Sequence, residues 1–138
     1  MKNSLLIILF VFSFVGRSFG QANPQELSKT FVNALLNYNE EKLKALLPAD
    51  PKEQQKMLEQ LKQIYSNDMK PLKGLSLSSS TRAVLKDGDK TYKERADIFI
   101  TITDNQKVKY ELKLWGCGNI DGKWHLGNKV ESEKVAVF

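Results

Sequence analysis

The stretch ADIFITITDNQKVKYELKL, residues 96–114, decides the fold. Ala96, Ile98, Ile100 and Ile102 alternate with Asp97, Phe99, Thr101 and Thr103. After a polar break at Asp104-Asn105, Val108, Tyr110, Leu112 and Leu114 alternate with Lys109, Glu111 and Lys113. Successive side chains of a strand point to opposite faces, so a period of two predicts two strands, each with one apolar and one wetter side. The break between them reads as a turn, and the pair as antiparallel.

The same pattern extends outward. Upstream, Leu75 and Leu77 alternate with serines, and a strand continues through Ala83 and Leu85. Asp87-Gly88 is a tight hairpin signal, and Tyr92 falls in phase with the apolar face that follows. Downstream, Asp121-Gly122 makes another turn, and Trp124, Leu126 and Val130 lie on a last strand. Turn signals between alternating runs describe an antiparallel meander with one face buried. The apolar tail, Val135 to Phe138, reads equally as an extra edge strand or a frayed end.

Helical spacing precedes the sheet. Asn23-Pro24-Gln25-Glu26 supplies an N-cap, a proline at the first helical position and an acid in the first turn. Leu27, Phe31, Leu35 and Tyr38 then recur at helical intervals. Asn39 reads as a break or second cap, after which Leu43, Leu46 and Leu47 run to Pro48. Asp50-Pro51-Lys52-Glu53 repeats the start signal, and its helix turns Met57, Leu58, Leu61, Ile64 and Tyr65 inward before Pro71. One-sided helices followed by strands predict an α+β domain, the N-terminal helices packed on an antiparallel sheet.

Residues 1–20 differ in kind. Lys2 is followed by the eleven-residue block LLIILFVFSFV, Leu5 to Val15, in which Ser13 alone is polar. Small residues Ser18 and Gly20 then stand at the spacing of a signal-peptide cleavage site. Gly20 and Ala22 satisfy the same rule, so cleavage before Gln21 or before Asn23 is compatible with the sequence. A membrane-spanning helix needs roughly 20 apolar residues, and no cysteine adjoins the site to carry a lipid. The expectation is a periplasmic or secreted protein without a stable membrane anchor, consisting of one domain over residues 21–138.

The net charge of +5 falls to near +3 once Lys2 and Arg17 leave with the leader. Lysines, arginines and acids are interspersed, which describes a solvated surface and not a nucleic-acid footprint. The one cysteine, Cys117, cannot staple the chain internally. It is read first as a small buried strand residue, with an intermolecular disulfide or a reactive thiol as alternatives. One histidine, His125, and one cysteine do not make a zinc site without converging carboxylates. Gly116-Cys117-Gly118 is too short for a phosphate loop and does not lead into a helix. No serine sits in a nucleophile elbow. No metal or cofactor is implied.

The helix bearing Phe31-Val32-Asn33-Ala34-Leu35-Leu36-Asn37-Tyr38, the Glu40-Glu41-Lys42-Leu43 start of a second helix, and the closing Asp121-Gly122-Lys123-Trp124-His125-Leu126 together resemble the NTF2-like superfamily. The likeness is to its small secreted bacterial members of the DUF4878 type and covers roughly residues 24 to 131. The resemblance implies a cystatin-like cone: a curved sheet wrapped around helices, with an open end able to hold a small molecule. Some members of the superfamily catalyse proton transfer or dehydration with a pocket Asp or His, which makes Asp97 and His125 the residues to test. Strand alternation sets both on the wetter side, opposite Ile98 and Ile100 and opposite Trp124 and Leu126, and no catalytic motif transfers.

Tyr38, Tyr65, Tyr92, Tyr110 and Trp124 would line a hollow between helices and sheet, since Tyr and Trp supply both apolar surface and a polar tip. Phe99 and Trp115 fall on the opposite face, as a covered surface or an association patch. A homodimer through that face is one way to cover them. The sequence thus leads us to expect a non-catalytic exported domain that binds a small apolar molecule or an envelope protein partner. The alternative is a proton-transfer enzyme.

Overall fold

A computed structural model describes residues 21–72, 76–90, 92–104 and 108–136. The expected leader over residues 1–20, Leu75, Asn105 and the last two tail residues lie outside them.

Helix α1 (Pro24–Leu36) begins where Asn23 accepts a hydrogen bond from the Glu26 amide at 2.8 Å, and Pro24 occupies the first helical position. It buries Leu27, Phe31, Ala34 and Leu35. The helix closes with Tyr38 N–H on the Leu35 carbonyl and Asn39 N–H on the Ala34 carbonyl, a Schellman motif that puts Tyr38 at φ 44°. Asn39 caps α2 (Glu40–Ala45), and Asp50 caps α3 (Pro51–Ile64), as the two start signals predict. A π-helical stretch over Tyr65–Met69 and a 3-10 turn over Lys70–Leu72 follow, so the α-helix ends ahead of Pro71 but helical backbone continues through it, past the stop the sequence predicts. Among the described residues no helix is long and apolar enough to cross a membrane.

The strands are β1 (Leu77–Lys86), β2 (Glu94–Asp104), β3 (Val108–Ile120), β4 (Lys123–His125) and β5 (Lys129–Ala136). They form a five-stranded antiparallel sheet in the order β1-β2-β3, with β4 and β5 both on the far side of β3. The sheet curves into a half-barrel over the helices, an α+β architecture. Ile98, Ile100, Ile102, Leu112 and Leu114 face the helices and are sealed from solvent.

Three local expectations are corrected. The Asp87-Gly88 signal does not make a two-residue hairpin: the connection runs from residue 87 to 93, and Tyr92 sits in it, not on the strand. Its turn is built by Asp89, which exchanges backbone contact with Tyr92 and accepts the Tyr92 amide at 2.8 Å. The last strand is two strands, separated at Leu126-Gly127-Asn128, where Gly127 packs so closely that a Cβ would lie 2.0 Å from the Trp115 carbonyl oxygen. Val135 and Ala136 belong to β5, which removes the frayed-end reading for them.

The third correction is a β-bulge. Ala96 pairs with Cys117 but Ile98 pairs with Leu114, so β3 places Trp115 and Gly116 against the single residue Asp97. Gly116 takes φ 67°, a conformation glycine reaches without cost. Past the bulge the alternation changes phase, and Cys117 turns into the core.

Candidate functional site

Phe31, Leu35, Leu43, Leu61 and Met69, all fully buried, fill the space between helices and sheet. Tyr110 and Trp124 are buried in the same cluster and pack there. Tyr38 and Tyr65 are half-buried and meet each other, ring centroids 5.3 Å apart at 39°. Tyr92 lies elsewhere again. Tyr38, Tyr65, Tyr110 and Trp124 thus pack in or against one core cluster that helix side chains fill, and Tyr92 stands apart from them.

Tyr92 forms a wall of its own. Its ring lies on Gly118, where a Cβ would come within 2.1 Å of Cδ1, and the Arg95 guanidinium sits 4.7 Å from the ring centroid. Arg95 is fixed by donating to Asp89 Oδ2 at 2.8 Å and to the Gly116 carbonyl at 3.0 Å. The ring borders a cleft of about 330 Å³ shared with Leu47, Pro48, Met57 and Gly127, with Asp50 and Glu53 also lining it.

Asp97 points to the outer face, as the alternation predicts, but it is covered there, at 5% exposed. The bulge causes this. Gly116 donates its N–H to Asp97 Oδ1 at 2.9 Å, and the Lys86 ammonium pairs with Oδ2. Burial alone would raise this carboxyl's pKa, but the Lys86 ammonium, the Gly116 amide and nearby Arg95 outweigh it and hold the pKa below the ordinary carboxylate value. A carboxylate so engaged is a poor general base, since both oxygens are already committed and its proton affinity is reduced.

His125 is half-buried, and its Nδ1–H donates to the Lys123 carbonyl at 3.0 Å. Burial lowers its pKa and favours the neutral ring. Cys117 is fully buried and carries a free thiol, which burial pushes up to about 12. That removes both the intermolecular disulfide and the reactive thiol. Among the described residues no three His, Cys, Asp or Glu side chains converge as a metal site would require.

The face away from the helices carries the remaining aromatics. Phe99 and Trp115 meet edge to face, centroids 5.5 Å apart at 89°, and the Arg82 guanidinium lies 4.6 Å from the Phe99 centroid. Both rings are half-buried. The Trp115 Nε1 is buried without a well-formed hydrogen bond. Its nearest effect is on Glu131, whose pKa is lowered first by Lys129 at 2.9 Å, with the indole N–H and Lys113 adding. A shallow cleft of about 500 Å³ opens on this face, lined by Ser80, Arg82, Phe99, Thr101, Glu111 and Lys113. The place of Arg82 was not readable from the sequence, because only the β1–β2 register sets it opposite Phe99.

No family model, curated protein or solved structure matches this chain.

Proposed function

We propose that this chain is an exported, non-catalytic domain of NTF2-like type that recognises a protein partner through the outer face of its sheet. One observation carries the reading: the Phe99–Trp115 pair, capped by Arg82, lies on the sheet face opposite the helices. Large aromatics and arginine are the residue types that concentrate binding energy at protein interfaces. Lys113, Lys129, Glu131 and Glu133 surround the pair with mixed charge, the polar rim such a patch needs. Export is supported by the leader-like composition of residues 1–20. The enzymatic alternative is disfavoured by Asp97, whose two oxygens are engaged by Lys86 and Gly116.

The test is photo-crosslinking in the cell that produces the protein. A photoreactive side chain at exposed Ser80, beside the patch, should trap a discrete protein adduct, and Phe99→Ala with Trp115→Ala should abolish it. The same probe at Glu59, exposed on α3, should give none. Equal labelling from both positions, or none from Ser80, overturns the proposal.

A small apolar ligand is the second reading, favoured by the cleft that Tyr92, Leu47 and Met57 border. It predicts that apolar probes protect Met57→Cys from alkylation; no protection by any such probe removes it.

A further inference from the structure

Strand β1 ends the sheet. It pairs with β2 along its whole length, without a register shift, and among the described residues no strand adjoins its other side. Such an edge presents a row of unpaired N–H and C=O groups. The usual protections are missing from Leu77–Lys86: there is no proline and no bulge, and its two cations are turned away from the edge. Arg82 lies over Phe99, and Lys86 is paired with Asp97, both on β2. The largest exposed apolar side chains of the described chain stand on this strand, Leu85 at 69% and Val84 at 40%.

We propose that β1 pairs antiparallel with β1 of a second copy of this chain, about a twofold axis at Thr81. The register follows from the sequence of the strand. Pairing that keeps inner face against inner face allows Thr81 or Arg82 at the axis. Arg82 there would set two guanidinium groups directly opposite, which is destabilising. Thr81 at the axis sets exposed Leu85 opposite half-buried Leu77 of the other copy, twice. On the outer face it sets Arg82 opposite Ser80, Val84 opposite Ser78 and Lys86 opposite Ser76, with no like charges opposed. The strand is self-complementary in this register, so a second copy is the partner that fits it. The two outer faces, with their Phe99–Trp115 pairs, then lie on one continuous ten-stranded sheet. The pairing does not depend on the outer-face reading, because it consumes only the strand edge.

Cysteine crosslinking tests both association and register. Opposed residues in an antiparallel pair have Cα atoms about 4.5–5.5 Å apart, within disulfide reach. Thr81→Cys should therefore give a covalent dimer on mild oxidation of the protein purified from cells expressing the full chain. Ala83→Cys should not, because its two copies would stand more than about 13 Å apart along the strands. Native Cys117 is buried and supplies no background. Sedimentation of the unsubstituted protein should show a dimer, and Leu85→Lys should raise its dissociation constant by roughly tenfold or more. Leu85 is exposed in the single copy, so that variant should keep its circular dichroism and, at concentrations where both proteins are monomers, its melting temperature. A monomer at every concentration with no Thr81→Cys crosslink overturns the pairing. So does preferential crosslinking through Ala83→Cys, or a dimer that Leu85→Lys leaves intact. A Ser80 photo-adduct of twice the chain's mass reports this pairing and one of any other mass reports the outer-face partner, so the two failures are told apart by the mass of the adduct.

Discussion

Gly116 donates its backbone N–H to Asp97 Oδ1 at 2.9 Å, and the bond closes the sheet's one irregular pairing between β2 and β3. The bulge leaves an amide that no strand partner can satisfy, and the carboxylate satisfies it. Lys86 and Arg95 then make a buried negative charge tolerable at that point. The acid with the most altered surroundings in the described chain is therefore explained by architecture.

Asp97→Asn should cost roughly 1–3 kcal/mol of stability, the usual range when a buried hydrogen-bond partner is weakened. The share due to Lys86 is small, because that side chain is 54% exposed and solvent screens it. The sign with pH follows from the lowered pKa. A carboxyl that gives up its proton more readily when folded contributes stability above its unfolded value of 3.8, lost as pH falls through the folded value. Urea unfolding across the acid range should show a steeper loss for the native protein than for Asp97→Asn. Parallel curves would refute the role given to the carboxylate.

Cys117 should resist thiol reagents in the folded protein and react fully in denaturant, since its side chain is sealed and its thiol pushed up to about 12. A raised thiol pKa gives stability that is complete below the unfolded value of 9.0 and declines as pH rises beyond it. Cys117→Ser should abolish that alkaline decline. It should also destabilise at neutral pH, by about 1–3 kcal/mol, because a more polar group would be buried and the Leu114 carbonyl, 3.8 Å from the sulfur, lies far for a shorter hydroxyl. Fast labelling of the native protein by a thiol reagent would contradict the burial.

How far the sequence carries is clearest around this cysteine. Period-two alternation placed Ile98 to Ile102 and Tyr110 to Leu114 on the core side without error, and Asn23 and Asp50 marked helix starts to the residue. The bulge was not legible. One inserted residue changes the phase of everything after it, and its local signal is a single glycine, Gly116, among three in a short run. Cys117 is nonetheless buried on β3, as its first reading expects, and Asp97 keeps its outward phase on β2 but is covered. Which aromatic rings share a space is not read from one strand or helix, because it depends on sheet curvature and helix placement, both set by long-range packing. Tyr92 was misplaced because Asp89, not Asp87-Gly88, makes the turn.

Tyr38 occupies the left-handed position that ends α1, where glycine is the usual residue, at a cost of about 1 kcal/mol or more. Its ring is kept there by Tyr65. Tyr38→Gly loses the ring contact but relieves the backbone, whereas Tyr38→Ala loses the contact and keeps the strain. The alanine variant should therefore be less stable than the glycine variant by about 1 kcal/mol, reversing the order found inside helices. Thermal melts of the two variants decide it; alanine equal to or better than glycine would show that the backbone there is unstrained.

Gln21 bears on the leader proposed for residues 1–20, because the two cleavage sites differ in whether they keep it. Its carbonyl accepts the Trp124 amide at 2.8 Å, and its side-chain Nε2 donates back to the Trp124 carbonyl at 2.9 Å, with a longer bond to Ala45. The residue thus acts as one more rung on β4, a strand of only three residues, and joins it to α2. Cleavage before Asn23 would remove that rung and leave the Trp124 amide without its partner, a loss of about 1 kcal/mol or more. Cleavage before Gln21 keeps it. Of two chains made to begin at Gln21 and at Asn23, the shorter should therefore melt lower, and the intact mass of the protein recovered from the cell tells which of the two it makes. If the recovered chain begins at Asn23 and loses no stability relative to the longer form, the Gln21–Trp124 rung has no role in the mature fold.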